Sequence, residues 1–213
     1  IFLAAFALYL RTTCPTLGGA FDSEEFQHAA YTLGIVHATG YPLYLLIGKI
    51  FTTLAPIGNV AYRMNLLSAL LTALAVVLVY LNAQMLTRRL LAALVTTVLF
   101  ATNVAVWRQA GVASIGPLHL LLLNAILYVL LQGNETSDTT QRLPIFVAFL
   151  FGLGLAHHRT TLLFALPIAL GTWEHLRQPR TFVRMALAAT LPLLLYLYLP
   201  LFGNHSPWYS KIG

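Results

Sequence analysis

An all-α bundle of membrane-spanning helices is the fold class this sequence predicts, and three observations predict it. The 213 residues are 59% hydrophobic and only 8% charged, whereas soluble domains carry about 25% charged residues. Several apolar runs reach roughly 20 residues, enough to cross a hydrocarbon core, and the mean hydropathy is +0.78. No alternating-strand pattern occurs, and lipid admits only helices or closed barrels, because backbone groups there have no water to bond.

Taken in order, residues 1–13 read as the end of a first span. Only about ten apolar residues precede Arg11, too few to cross, so that helix is expected to be cut short and the chain to be a portion of a longer polypeptide. Residues 14–59 form a long outward loop with interfacial helices. Within it Phe26, Ala29, Ala30 and Leu33 recur at helical spacing, and Gly34 offers a stop. His37, Gly40, Tyr41 and Pro42 then make a turn, with Pro42 at the start of the next helix. That helix, 42–54, is about 13 residues long and carries Lys49, so it is expected to lie along or dip into the interface rather than cross. Spans are expected at 64–86 (closed by Arg88 and Arg89), 90–106, 115–131, 143–156, 160–173 and 182–202. The total is six to seven spans in a single transmembrane domain, 1–213, with a ragged end at 203–213.

The formal charge of +6 does not point to nucleic acid. The basic residues sit at helix ends rather than in a stripe, which suits membrane lipid headgroups and phosphates. Cys14 is the single cysteine, so no internal disulfide can form. The 12 Lys and Arg residues divide evenly between the two sides that alternation predicts, and the positive-inside rule gives no orientation by count. Their crowding into the short loops 87–89, 133–142 and 174–181 favours that side as cytoplasmic. The acidic loop would then face the periplasm, exterior or lumen, in a bacterial inner membrane or an ER membrane.

Candidate chemistry starts with Asp22, Glu24 and Glu25, half of the six acidic residues in the chain. On a helix Asp22 and Glu25 share a face. Two readings stand side by side: a capping box, Asp at N-cap with Glu at N3, and a functional carboxylate pair, since clustered charge at a membrane edge is costly. His157-His158-Arg159 interrupts two apolar segments. Adjacent histidines on a helix point about 100° apart and no third ligand is near in sequence, so no metal is expected; arginine with imidazole suits a phosphate. Arg63 and Arg108 fall at the same boundary and, with Arg159, are candidates for a phosphorylated-lipid pocket. Asn134 and Asn204 open weak glycosylation sequons. Phosphate-cradling glycine loops, nucleophile elbows and Cys-pair motifs are missing, so nucleotide hydrolysis and serine- or zinc-hydrolase chemistry have no support.

The segment DSEEFQHAAYTLGIVHATGYPLYLLIGKIF, followed by GNVAYRMNLLSAL, resembles the opening of the protein O-mannosyltransferase-like membrane proteins. WRQAGVAS and GLGLAHHRTTLLFALP resemble two further stretches, so the likeness runs from about residue 15 to 167. It implies a GT-C fold and transfer of a sugar from a polyprenyl-phosphate donor to an acceptor hydroxyl on the outward face. Asp22 and Glu25 match the family's acidic pair and are the implied catalytic residues. His37, Gly40, Tyr41 and Pro42 match its turn, and His157, His158 and Thr160 its later motif. His37, Tyr41, Arg63, Arg108, His157, His158 and Arg159 are the implied substrate-binding set. The chain departs from the family at Glu24 (for Gly), Ala38 and Thr39 (for two prolines), Ser114 (for Glu) and Pro207-Trp208-Tyr209 (for Asn-Trp-Gly). These departures support an alternative, a catalytically diverged membrane subunit with protein partners.

Overall fold

The structure is a computed structural model that describes residues 1–18, 20, 22–135 and 142–202. The sequon at Asn204, the Pro207-Trp208-Tyr209 stretch and the end at 203–213 lie outside the described residues, as does the Asn134 side chain. Every element among the described residues is helical. They are α1 (Phe2–Leu10), α2 (Ser23–Thr32), α3 (Pro42–Leu54), α4 (Val60–Thr87), α5 (Leu90–Ala101), α6 (Val104–Ala110), α7 (Gly116–Glu135) and α8 (Arg142–His157). A 3-10 turn (Arg159–Phe164) leads into α9 (Ala165–Gly171) and α10 (Trp173–Leu176). The chain closes with α11 (Pro179–Thr190), a 3-10 stretch (Leu191–Leu197) and α12 (Tyr198–Phe202).

The long helix α4 is the axis, packed by α1, α5 and α7. Asn59 starts it by accepting from the Tyr62 amide at 2.8 Å, and Arg88 ends it in the left-handed region at φ 54°. Small residues, Ser68, Ala69, Thr72, Ala73 and Ala75, make up much of its buried surface; they let backbones approach where lipid supplies no hydrophobic drive between helices. α8 crosses α11 closely. A Cβ at Gly152 would land 2.1 Å from the Ala189 carbonyl oxygen, so only glycine fits. The largest apolar cluster joins Phe26, Tyr41, Tyr44, Leu45, Met64 and Leu118, which seats α2 and α3 on α4 and α7.

One buried amide ties the first loop to this frame. Asn65, fully buried, donates to the carbonyls of Cys14 and Thr16, both at 2.9 Å. Its oxygen accepts from Gln27 Nε2 at 2.7 Å and from the Ala113 amide at 2.8 Å. All four of its hydrogen-bonding positions are used, and its partners lie in three other segments.

By length and composition, three helices among the described residues can cross a membrane: Val60–Thr87, Gly116–Gly133 and Pro179–Phe202. The count reaches four if Leu90–Ala101 and Val104–Ala110 form one span, and this pair bends by 61°. The single helix expected over 90–106 breaks there because Asn103 caps α6, accepting from the Ala105 and Val106 amides. The span expected over 160–173 is divided at Phe164, where the 3-10 turn gives way to α9. Within Pro179–Phe202, Pro192 lacks the N–H that an α-helix would use and the chain tightens to 3-10 geometry. Pro42–Leu54, Arg142–His157 and Arg159–Gly171 are apolar but shorter. The chain is an integral membrane protein.

Candidate functional site

The acidic residues lie at the start of α2, as the pattern predicts, but the capping box does not form. Asp22 is the N-cap, yet its backbone (φ −92°, ψ 29°) is outside the extended region that lets a side chain fold back, and no cap bond is made. Glu25 turns away from its own helix and takes His37: one carboxylate oxygen accepts from the His37 amide at 2.8 Å, the other meets Nδ1 at 2.6 Å. The stop of α2 falls one residue earlier than expected. Leu33 adopts the left-handed conformation (φ 56°) and the Gly34 amide returns to Ala29.

Glu25 therefore orients the His37 ring and leaves its Nε2 aimed at Asp22, 3.8 Å from Oδ2. The Asp22 side chain is 62% exposed, against 37% for Glu25. Among the described residues, the ligand atoms of Asp22, Glu25 and His37 lie within 4.8 Å of one another, close enough to share a cation. Both Glu25 oxygens already serve His37, so a cation would find few unspent donors.

Tyr41 joins this group to the second motif. At α3's N-cap, its left-handed backbone (φ 43°) turns the ring inward ahead of Pro42. There it packs edge-on to Phe26 and His37, at 5.6 and 5.5 Å between ring centres. His157 lies edge-on at 6.2 Å and His158 stacks at 6.4 Å. Burial pushes the Tyr41 hydroxyl above its ordinary pKa; Arg159 pulls it down and Asp22 pushes it further up. So the acidic stretch and the His-His-Arg stretch, more than a hundred positions apart, face one ring.

The two histidines differ. His157 ends α8, is fully buried, and donates through Nε2 to the Ile115 carbonyl at 2.9 Å. His158 caps the 3-10 turn, accepting at Nδ1 from the Thr160 amide. Arg63 stands elsewhere: its guanidinium donates to the carbonyls of Thr52, Ile57 and Gly58. These bonds anchor it at the far end of α3, about 15 Å of helix rise from Pro42. Arg108 is exposed on α6, next to Gln109, which bonds Ser114 at 3.1 Å. Ser114, standing where the family has Glu, also takes Ser68 Oγ at its amide.

His119 is a site residue that the sequence reading missed. Its ring lies 4.8 Å from His158 and 6.1 Å from His157. The signal was there: an ionisable residue inside the apolar run of α7 is costly in lipid and marks a functional or paired position.

The family model for the protein O-mannosyl-transferase TMEM260 N-terminal domain matches residues 22–178. The chain is 30% identical, over 94% of its length, to the mouse (Mus musculus) protein O-mannosyl-transferase TMEM260. It is 25% identical over 79% of its length to the Dictyostelium discoideum protein of the same name. It spans 29% and 22% of those two relatives. No solved structure matches it. On a family match that covers well over half of its residues, the chain belongs to the TMEM260 N-terminal-domain family of protein O-mannosyl-transferases.

Proposed function

We propose that this chain forms the membrane core of an inverting O-mannosyl-transferase that moves mannose from a polyprenyl phosphate to an acceptor hydroxyl. Asp22 accepts the acceptor proton, the acceptor oxygen attacks the anomeric carbon, and the bond from that carbon to the phosphate oxygen breaks. The electron pair leaves on the phosphate, where Arg159 supplies positive charge and His158 a hydrogen bond. Glu25 holds His37, whose ring flanks the Asp22 carboxylate. One observation carries the reading: Tyr41 packs against both His37 and the His157-His158 pair. A base and a cation can then sit on the two sides of one reacting carbon.

Asp22 suits the base better than Glu25, since the Glu25 oxygens are both spent on His37. Arg63 is a brace in this scheme and Arg108 a headgroup contact. The proposal extends to a single GT-C-like unit over 1–213. In it the short helices 142–157 and 159–171 complete six or seven spans, α3 lies at the interface, and the loop 14–59 faces outward.

The test is mannose transfer from polyprenyl-phosphate mannose by the full-length protein in lipid, wild type beside Asp22→Asn. Because the Asp22 side chain caps nothing, fold and expression should survive. Transfer should fall by roughly 10²-fold or more, the range for a lost positioned base. Equal activity removes Asp22 as the base. An inactive wild type that copurifies with stoichiometric partners replaces this reading with that of a diverged, non-enzymatic subunit.

A further inference from the structure

Three side chains behind Tyr41 form a directed hydrogen-bond chain. Thr160 Oγ1 lies 2.7 Å from His158 Nδ1 and 2.9 Å from His119 Nε2. The Thr160 amide also points at His158 Nδ1, at 3.3 Å. An amide only donates, so Nδ1 must be the lone-pair nitrogen and the single proton of neutral His158 sits on Nε2. The Thr160 hydroxyl, able to give one proton, gives it to the same Nδ1. Its oxygen is then left to accept, and the remaining neighbour is His119 Nε2–H. His119 Nδ1 is the atom without a proton, and it is buried with no hydrogen-bond partner among the described residues. Every proton in the relay is thereby assigned: His119 Nε2–H to Thr160 Oγ1–H to His158 Nδ1.

From this geometry we infer that His119 and Thr160 are positioning residues that lock His158 in the tautomer presenting Nε2–H to the donor phosphate. The inference rests on the proposed reading that His158 and Arg159 meet a lipid phosphate. It deepens that reading by separating two tasks that the adjacent pair performs. Arg159 supplies the positive charge that attracts the anion, through a guanidinium fork that can meet two phosphate oxygens. His158 is held neutral, its pKa lowered by burial and by Arg159, and so offers one directional donor. A neutral imidazole with the other tautomer would turn a lone pair toward the phosphate and repel it. An unlocked ring would spend part of its time in that state. The relay is remote in sequence, since 41 positions separate His119 from Thr160.

The experiment is the dissociation constant for polyprenyl-phosphate mannose, measured in the full-length protein in lipid nanodiscs. Melting temperature is recorded beside it. It needs no turnover, so a failure of catalysis does not obscure it. Thr160→Val keeps the shape and removes the hydroxyl, leaving Nδ1 only the longer 3.3 Å amide bond; its constant should rise severalfold, up to about the tenfold of a lost hydrogen bond to a charged group. Thr160→Ser, which restores the hydroxyl, should recover wild-type binding. His119→Leu leaves the Thr160 hydroxyl able to donate to His158 Nδ1, so it should weaken binding no more than Thr160→Val, and the two together should be no worse than Thr160→Val alone. His119→Gln, whose amide can donate to Thr160, should bind as wild type. Thr160 is exposed, so the Thr160 pair decides the matter if His119→Leu does not fold. Arg159→Gln controls the underlying reading. If it weakens binding while Thr160→Val does not, or if Thr160→Ser fails to rescue, the relay is refuted and the phosphate site stands. If Arg159→Gln binds as wild type, the phosphate site falls and this inference with it.

Discussion

The helix α2 and the stretch Pro179–Phe202 differ in composition and in burial, each in the direction opposite to a soluble protein. α2 reads SEEFQHAAYT, yet Ser23, Phe26, Gln27, Ala29 and Ala30 are buried. Pro179–Phe202 is apolar, yet only 17% of its most apolar stretch is inside the protein, against 61% for α4. Leu187, Leu191, Leu194, Leu197 and Leu201 are all exposed there. In water such a face would be a patch awaiting a partner; in lipid it is the ordinary solvent boundary. Leucine gains nothing by leaving lipid for a protein interior except packing. Beside the apolar cluster at Phe26, α2 is held by polar bonds: the Asn65 hub, the Glu25–His37 pair and the Ser23 hydroxyl, which donates to the Gly18 carbonyl. The candidate site is thus fastened by hydrogen bonds as well as packing, while the C-terminal helices keep most of their apolar surface outside the chain's interior.

Breaking the polar fastening should have the largest effect. Asn65→Leu leaves Gln27 Nε2, the Ala113 amide and two carbonyls without their partner, and should cost about 4 kcal/mol or more. The measurement is thermal unfolding in lipid, with the melting temperature falling by roughly 10 °C or more. A loss no larger than that of a surface variant would mean that the hub is not what secures α2.

A paired truncation sharpens the contrast. Leu45 has no exposed surface and Leu194 is 57% exposed. Leu45→Ala should cost about 3 kcal/mol through the cavity it leaves. Leu194→Ala should change stability by less than about 0.5 kcal/mol, as for other surface sites. Similar costs at both positions would show that the exposed leucines pack against protein, not lipid.

Smaller again is Arg63→Gln, which gives up bonds to three carbonyls at the end of α3 and should cost about 1–2 kcal/mol. Because Arg63 braces the loop, affinity for polyprenyl-phosphate mannose should stay at the wild-type value. A selective loss of donor binding would return Arg63 to the phosphate pocket.

The smallest expected effect comes from chelation. With both Glu25 oxygens committed to His37, EDTA should shift the melting temperature by less than about 1 °C. A cation bound at a hundred times its dissociation constant would add about 2.7 kcal/mol. A drop of several degrees would therefore show that an ion, and not the Glu25–His37 pair, organises the loop.

Much of this was legible in the residues alone. Composition and run length gave the helical membrane class, because lipid tolerates no unpaired backbone and few charges. Local patterns gave the start of α2 at Asp22, Pro42 at the first position of α3, and the shortness of 42–54. The resemblance supplied the two motifs that meet at Tyr41. Partner choice was not legible. Glu25 could cap its own helix or reach His37, 12 positions away, and the backbone angles of Asp22 decided it. Arg63 could meet a phosphate or three carbonyls, and the turn at 55–59 decided that. The breaks at Asn103 and Phe164, which reduce the spans that length alone supports, depend on local bonding that an apolar count does not register. Periodicity and composition report how each segment meets its solvent, a property carried residue by residue. Which donor finds which acceptor depends on distances between segments far apart in the chain, and only packing sets those.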